Sequence, residues 1–234
     1  MNSETYSFIP IGFIRSPCKE KFGVPRQSGL VPQLTAQIEI VPPYDREEAF
    51  SQLTDFTHIW VISVFHQAMR DAWQPTVRPP RLGGNKRVGV FATRAPYRPN
   101  PLGLSVFPLQ RIRRDNGKLQ LHISGCDLVD GTPVLDIKPY LPYTDSIADA
   151  HGGFTEQTPR LTLCVTFTSQ ATQQCQALSS KYPELCAMLE AILAQDPRPA
   201  YQESNTGNSY GMRLYDLNVR FRVDGQTLTV LAIE

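Results

Sequence analysis

The chain has 234 residues and a formal net charge of +1, because 23 lysine and arginine side chains nearly balance 22 aspartate and glutamate side chains. Charged residues make up 19% of the chain and hydrophobic residues 41%, which excludes a disordered polyelectrolyte and a coiled coil. The five cysteines are scattered and include no Cys-x-x-Cys pair, so neither a disulfide framework nor a cysteine-based zinc site is predicted.

The N-terminal sequence lacks the basic and apolar regions of a secretory signal. The longest apolar stretch, residues 56–65, is interrupted by polar residues and is too short to span a bilayer. We therefore expect a cytoplasmic protein that does not contact a membrane.

The first 168 residues contain a series of short apolar segments separated by turns. Residues 57–65 are rich in β-branched and aromatic side chains, which makes them the best candidate for a central strand. A short helix is predicted over 45–53, with Asp45 as its N-cap. The predicted strands are 7–15, 37–41, 57–65, 88–93, 105–112, 119–123, 134–139 and 161–167. Many short strands with few helices indicate a mainly β protein in which residues 1–168 form an antiparallel β-barrel.

The pattern changes after residue 168. Apolar residues in 170–195 recur at helical spacing, and Pro183 predicts two helices with a break near Lys181 and Tyr182. Residues 202–209 are polar and are expected to be mobile, whereas 217–223 and 228–233 flank Asp224-Gly225 as a β-hairpin. Residues 169–234 are therefore predicted to form a small α+β domain.

Basic residues are concentrated in one part of the chain. The 43 residues between Asp71 and Asp115 contain no acidic residue and nine basic ones. Eight of the nine are arginines, which bind phosphate through two parallel hydrogen bonds, so the segment indicates a local anion site. The alternative is a set of solvated arginines whose acidic partners come from elsewhere in the fold. The nine residues are Arg78, Arg81, Lys86, Arg87, Arg94, Arg98, Arg111, Arg113 and Arg114.

Common catalytic and cofactor motifs are absent. There is no dinucleotide-binding or P-loop glycine pattern, no His-Glu-x-x-His and no Gly-x-Ser-x-Gly, and the four histidines are not at ligand spacing, so no metal site is predicted. Three stretches are dense in proline, glycine and polar residues: 21–27, 78–105 and 127–143. Rigid loops of this kind hold preorganised sites.

These stretches carry the segments Gly89-Val-Phe-Ala-Thr-Arg94 and Arg98-Pro-Asn-Pro-Leu-Gly-Leu-Ser105. Together with 25–27, 65–67, 127–143 and 196–201, they closely resemble the TrmO (TsaA-like) family of tRNA methyltransferases, and the resemblance extends over essentially the whole chain. It implies an S-adenosylmethionine-dependent homodimer whose β-barrel binds the cofactor. The enzyme would methylate the exocyclic amine of threonylcarbamoyladenosine at tRNA position 37, notably in threonine tRNA.

The resemblance also implies a set of cofactor contacts. They are Pro25, Arg26, Gln27, His66, Gln67, Arg94, Leu104, Asp127, Leu128, Val129, Asp130 and Gly131. An arginine suits the cofactor carboxylate because it forms charge-assisted hydrogen bonds.

The catalytic and tRNA-binding residues are predicted from chemistry. An adenine amine is a poor nucleophile, so an acceptor for its hydrogens would help, and Asp130 and Asp136 are carboxylates in the right stretch. Asp136, Lys138 and Tyr140 are the predicted catalytic residues, although Asp136 and Lys138 could form a purely structural ion pair. Tyr140 and Tyr143 are candidates for stacking on a flipped base. The residues predicted to contact the anticodon stem-loop of tRNA are Arg78, Arg81, Arg87, Arg98, Asn100, Tyr143, Arg198 and Arg220.

Two other functions remain open on the residues alone. A barrel hydrolase or transferase acting on a small anionic substrate would bind anions without responding to S-adenosylmethionine. A non-catalytic tRNA-binding or anion-binding barrel would bind tRNA in a salt-dependent manner without cofactor affinity.

Overall fold

The computed structural model describes residues 4–84, 86–156, 163–198 and 207–234, without the side chain of Arg81. Six antiparallel strands form the larger sheet, in the order β1-β2-β7-β6-β3-β8. The strand β8 pairs back to β1 through Gly12–Val134 and Phe13–Pro133, so the sheet closes on itself. The mainly β, antiparallel fold predicted from the sequence is confirmed. The six strands are β1 Gly12–Arg15, β2 Ala36–Ile40, β3 His58–Val64, β6 Leu102–Asp115, β7 Lys118–Ile123 and β8 Pro133–Pro139.

Buried and partly exposed side chains alternate along the strands, and the buried ones fill the interior of this closed sheet. On β3 the buried residues are Ile59, Val61 and Ser63, each separated by a partly exposed one. Phe107 is fully buried on β6 and pairs in register with Ile59. Because side chains of a strand alternate between its two faces, one apolar set covers the interior while the other faces outward. The predicted central strand is confirmed, since β3 lies between β6 and β8.

Two local predictions were wrong. Residues 88–93 do not form one strand: β5 (Val88–Gly89) pairs with β4 (Thr76–Val77), and a 3-10 helix follows at Val90–Ala92. The predicted helix 45–53 is instead two 3-10 helices, Glu47–Phe50 and Leu53–Asp55, and Asp45 does not cap them. Gln52 between them has φ +64°, a left-handed conformation that interrupts a continuous helix.

The C-terminal sheet has the order β10-β11-β12-β9. Its strands are β9 Cys164–Phe167, β10 Ser209–Leu214, β11 Leu217–Asp224 and β12 Thr227–Ile233. The strand β9 runs parallel to β12, so this segment belongs with the C-terminal sheet and not with the closed one. We propose a domain boundary before Cys164, whereas the sequence predicts one after residue 168. Residues 161–162 of the predicted strand and 202–206 of the predicted mobile stretch lie outside the described residues.

Two helices pack on the C-terminal sheet, as the spacing predicts. The first, α2 (Ser169–Ala177), begins where the Thr168 side chain accepts a hydrogen bond from the Ala171 N–H. The second, α3 (Leu185–Leu193), buries five apolar residues, and a disulfide between Cys175 and Cys186 joins the two helices. A further short helix, α1 (Pro142–Asp145), follows β8. None of the helices in the described parts of the chain could span a lipid bilayer.

The C-terminal sheet braces the long loop between β1 and β2. The Tyr215 N–H donates to the Pro17 carbonyl over 2.7 Å, and Cys18 forms a β-bridge with Leu214. The ring of Phe22 stacks on Phe221 with 6.3 Å between centroids. This packing fixes the loop that carries residues 25–27.

Candidate functional site

Three loops meet at one end of the closed sheet. They are residues 16–35 after β1, 65–101 after β3 and 124–132 after β7. The register places them together, because Ala36 at the start of β2 pairs with Ile123 at the end of β7, and Val64 at the end of β3 pairs with Leu102. These loops contain the first stretch singled out in the sequence, most of the second and the beginning of the third, which continues along β8.

Backbone hydrogen bonds join the first and third loops. The Gly29 N–H donates to the Gly125 carbonyl over 2.9 Å, and the Cys126 N–H donates to the Leu34 carbonyl over 3.1 Å. Gly125 has φ +66°, and a Cβ there would lie 2.9 Å from the Gly29 Cα, so this close contact requires glycine. The second loop is tied to the first because the Lys21 ammonium donates to the Gln67 carbonyl. These hydrogen bonds fix the positions of the three loops relative to one another.

Polar side chains from all three loops converge there. The Arg94 guanidinium donates to the Gln27 Oε1 over 2.5 Å, and the Arg26 guanidinium donates to the Asp196 carbonyl over 3.3 Å. The Ser105 hydroxyl of β6 donates to the Asp127 Oδ1 over 3.0 Å. Burial raises the pKa of the Asp127 carboxyl to about 6, although hydrogen bonds from Ser105 and from backbone groups, and the charge of Arg94, partly oppose this rise.

The raised pKa of Asp127 predicts a pH-dependent stability. The folded protein holds this proton more tightly than the unfolded chain, whose carboxyl has the ordinary value of 3.8, so this contribution to stability is present below about pH 4 and is lost as the pH rises through 6. Asparagine does not titrate, so the Asp127→Asn variant should not lose this contribution to stability as the pH rises. We expect the free energy of unfolding of this variant to exceed that of the wild type by about 1–3 kcal/mol at pH 8 and to converge with it near pH 4.

Urea unfolding at a series of pH values measures this difference. The exposed Asp149→Asn change removes one negative charge without touching a buried carboxyl, and it serves as the control. Parallel stability curves for the wild type and Asp127→Asn would show that the carboxyl does not titrate as described.

A cleft of about 1540 Å³ opens beside this cluster. Among the described lining residues, six are arginines and only Asp71 and Glu156 are acidic, so the cleft is strongly cationic. The arginines are Arg26, Arg70, Arg78, Arg87, Arg94 and Arg98. Four aromatic side chains also line the cleft, namely Trp73, Phe91, Tyr97 and Phe154. Arginines and aromatic rings in one open groove suit an RNA strand, whose phosphates and bases they bind respectively.

Six of the nine segregated basic residues fall into two groups. Arg78, Arg87, Arg94 and Arg98 line the cleft, in agreement with a local anion site. Arg114 lies at the far end of β6 and pairs with Asp45 at 3.4 Å and Glu47 at 3.3 Å, as the alternative interpretation predicts. Arg113 pairs with Asp115. The side chain of Arg81 lies outside the described residues.

The predicted cofactor residues do not all have the same environment. Arg26, Gln27 and Arg94 line the cleft, and Pro25 is buried behind them. His66 and Gln67 belong to the 3-10 helix His66–Ala68, whose last residue lines the cleft. Leu104 is exposed on the outer face of β6, one residue from the buried Ser105.

The loop 127–131 is held by contacts with the next turn of the chain and with residues 14–19. Leu128 is buried, and Val129 accepts hydrogen bonds from the Thr132 backbone and side chain. The Asp130 carboxylate pairs with Lys19 at 2.9 Å and accepts a hydrogen bond from the Ser16 N–H, while the Gly131 N–H donates to Ile14. Asp130 therefore anchors the loop to the segment that follows β1, where it is paired with the positive charge of Lys19.

The predicted catalytic residues Asp136 and Lys138 lie on β8, and Tyr140 directly follows it. Asp136 is half-exposed and pairs with Lys138 at 3.1 Å. Tyr140 packs against Trp60, with 5.9 Å between ring centroids, and against His58. None of these side chains is among the described lining residues of the cleft.

Two predicted tRNA contacts are engaged within the C-terminal sheet region. Arg198 is only 4% exposed, and its guanidinium forms a buried salt bridge with Asp196 at 2.7 Å, so this side chain is already engaged within the fold. Arg220 is exposed and lies 3.8 Å from Glu234. Asn100 and Tyr143 are exposed, and Tyr143 lies on α1.

The sequence interpretation missed several cleft-lining residues, and four of them share one part of the sequence. Arg70, Trp73, Phe91 and Tyr97 line the cleft, and each lies within or beside the acid-free segment. Aromatic residues interleaved with arginines were the available signal. No group of three or more histidine, cysteine, aspartate or glutamate residues in the described segments is placed to bind a metal ion.

Comparison with known proteins places this site in context. The family model described as tRNA-methyltransferase O N-terminal domain matches residues 13–146, and that of the TrmO C-terminal domain matches residues 160–234. The tRNA (adenine(37)-N6)-methyltransferase of Escherichia coli K12 is 46% identical over 231 residues, covering 98% of both chains. The protein of the same name from Eikenella corrodens is 47% identical over 76% of this chain and 99% of its own. The crystal structure of TrmO from Pseudomonas aeruginosa superposes with a TM-score of 0.82 at 39% identity, with 99% of each chain covered.

Proposed function

Because the chain belongs to the tRNA-methyltransferase O (TrmO) family, we propose that it methylates the N6 atom of adenosine 37 in tRNA with S-adenosylmethionine as the methyl donor. The similarity to the E. coli enzyme supports this function, since it extends over 98% of both chains. We further propose threonylcarbamoyladenosine as the substrate nucleoside, and threonine tRNA as the main substrate.

The residues at the loop junction fit the chemistry of the cofactor. S-adenosylmethionine carries a carboxylate, an ammonium group, an adenosine and a sulfonium-bound methyl group, and it supplies that methyl group in electrophilic form. Arg94 and Arg26 are cationic and suit the carboxylate, and the buried Asp127 suits the ammonium or the ribose hydroxyls. Pro25, Gln27, His66, Gln67, Leu104 and residues 128–131 complete the proposed cofactor site. We propose the closed sheet as the cofactor-binding barrel.

Preorganisation is the main contribution of these side chains. Gln27 holds the Arg94 guanidinium, so less conformational entropy is lost when the arginine binds an anion. The hydrogen bonds between the 16–35 and 124–132 loops fix Asp127 on the other side. Methyl transfer needs an in-line approach and exclusion of water, and rigid loops satisfy both needs without a covalent nucleophile.

The amine hydrogen needs an acceptor, and we propose Asp136 for that role, with its ion-pair partner Lys138 and with Tyr140 as the other proposed catalytic residues. Replacing Asp136 with asparagine should then lower the turnover number about 100-fold or more, while the dissociation constant of S-adenosylmethionine stays the same. Single-turnover kinetics and calorimetry measure the two quantities. An unchanged turnover number would show that the Asp136–Lys138 pair is structural, and it would leave Asp127 as the carboxylate to test.

Cationic residues of the cleft are proposed to bind the anticodon stem-loop. Arg78 and Arg87 are exposed there, and Arg98 lines the cleft while it donates to the Thr93 and Ala95 carbonyls. Arg81, Asn100, Tyr143 and Arg220 remain proposed contacts.

We also propose that the enzyme is a cytoplasmic homodimer. Sedimentation analysis of the purified protein tests whether it is a dimer.

Incubation with labelled S-adenosylmethionine and two tRNA pools tests the proposed reaction. One pool carries the threonylcarbamoyl modification at adenosine 37 and the other lacks it. We expect label only in the modified pool. Label in neither pool, despite cofactor binding, would refute the proposed tRNA substrate. Absence of cofactor binding would instead favour a small-anion enzyme or a non-catalytic RNA-binding protein.

A further inference from the structure

Two exposed aromatic rings lie side by side in the cationic cleft and have no role in the steps above. Trp73 is 51% exposed and Phe91 is 72% exposed. Their ring centroids are 6.2 Å apart, and the ring planes meet at 35°. Adjoining large apolar side chains on a surface mark a binding site more often than single exposed ones do.

The fold holds Phe91 outward. Its neighbour Val90 is buried, and the two residues belong to the same 3-10 helix, so one anchors the helix and the other faces the cleft. The Val90 N–H donates to the Pro75 carbonyl over 2.9 Å, which ties this helix to the segment after Trp73. The Thr93 hydroxyl donates to the Val90 carbonyl over 2.8 Å. The backbone that carries Phe91 is therefore fixed, which reduces the entropy lost when a ligand stacks on this ring.

The surroundings indicate an anionic strand as the ligand. The guanidinium carbon of Arg98 lies 6.0 Å from the Phe91 centroid, and that of Arg70 lies 3.9 Å above the Tyr97 ring. Arg78 and Arg87 line the same cleft. A surface that combines exposed aromatic faces with arginines matches single-stranded RNA, whose bases stack while its phosphates bind cations.

We propose that Trp73 and Phe91 form a stacking platform for an unpaired base of the anticodon loop adjacent to the base that is methylated. The inference rests on the proposed tRNA methyltransferase function. Phe91 precedes Arg94 by three residues, so their Cα atoms are at most about 11 Å apart, and the platform adjoins the proposed cofactor site. The platform is open to water, whereas methyl transfer needs a water-excluding pocket, so it suits a neighbouring base better than the reacting one.

Binding of a synthetic anticodon stem-loop of threonine tRNA, carrying threonylcarbamoyladenosine, tests the platform. Trp73→Ala and Phe91→Ala should each weaken binding about 5- to 150-fold, the range for loss of one base–aromatic stack. Trp73→Phe keeps a ring and should bind within a few-fold of the wild type. Both alanine variants should retain the wild-type dissociation constant for S-adenosylmethionine.

Salt dependence separates stacking from charge. The slope of log affinity against log salt concentration should be the same for Trp73→Ala as for the wild type, whereas Arg78→Ala should reduce it by about one. Phe8→Ala changes an exposed aromatic residue outside the cleft; it serves as the control and should bind normally.

Fluorescence of a 2-aminopurine base placed next to position 37 reports stacking directly. The wild type should quench this fluorescence, and Trp73→Ala and Phe91→Ala should quench it less.

The possible failures are distinguishable. Wild-type affinity in both alanine variants, or a changed salt slope in Trp73→Ala, would overturn the platform and leave the methyltransferase function standing. A wild-type protein that neither binds nor methylates the stem-loop would overturn the proposed function and the platform with it.

Discussion

Replacing Arg94 with alanine is expected to weaken the binding of S-adenosylmethionine about 10- to 150-fold, equivalent to about 1.5–3 kcal/mol. The guanidinium is cationic, lines the cleft and is held by Gln27 at 2.5 Å, so it is positioned for a charge-assisted hydrogen bond to the cofactor carboxylate. The positive charge of Arg94 also favours the ionised form of Asp127, and its removal should raise the pKa of that carboxyl further above 6. Isothermal titration calorimetry measures the cofactor affinity.

Two variants control this experiment. Arg94→Lys retains the charge but lacks the planar pair of donors, so its affinity should lie between those of the wild type and the alanine variant. Arg46→Ala changes an exposed arginine that pairs with Glu48 and lies outside the described cleft lining, and it should bind the cofactor normally. A wild-type affinity in Arg94→Ala would remove this residue from the cofactor site.

Replacing Phe107 with alanine is expected to lower the free energy of unfolding by about 3–5 kcal/mol. Phe107 is fully buried inside the closed sheet, where it is one of the largest buried side chains and pairs in register with Ile59. The surrounding strands are hydrogen-bonded to neighbours on both sides and cannot collapse into the resulting cavity. Because whole domains are stable by only about 5–15 kcal/mol, a loss of this size should also lower the melting temperature markedly.

The matched control for this prediction is Phe8→Ala. Phe8 is 70% exposed, so the same chemical change should alter the unfolding free energy by less than about 0.5 kcal/mol. Urea unfolding of the two variants gives both values. Equal stabilities for Phe107→Ala and Phe8→Ala would show that the interior of the sheet is not packed as described.

Local patterns account for most of what the sequence predicted correctly. The alternation and β-branched content of β3, and the helical spacing that produces α2 and α3, depend on residues close together in the chain. The strand predicted over 88–93 was wrong because Val90 begins a 3-10 helix, although Val88, Val90 and Thr93 are β-branched residues that favour a strand. The pairing of Val88–Gly89 with Thr76–Val77 and the burial of Val90 outweighed the local preference of this segment for a longer strand.

The family resemblance predicted the function in more detail than the composition did. The three loop stretches and their similarity to the TrmO family gave the reaction, the cofactor and a set of site residues. Family membership is confirmed by models that match residues 13–146 and 160–234. Composition and charge alone indicated only a β-rich protein with a preorganised anion site.

Tertiary structure decided the environment of each side chain. Asp127 acquires its raised pKa from burial beside Ser105, Arg198 is buried against Asp196, and Trp73 meets Phe91 eighteen positions further along the chain. Burial and contacts between distant segments depend on the closure of the sheet and on the register of its strands, which no local pattern of residues encodes. The sequence by itself determined most of the strands, the two C-terminal helices and the family, whereas the folded chain determined which polar groups lose water and which rings remain exposed to bind a partner.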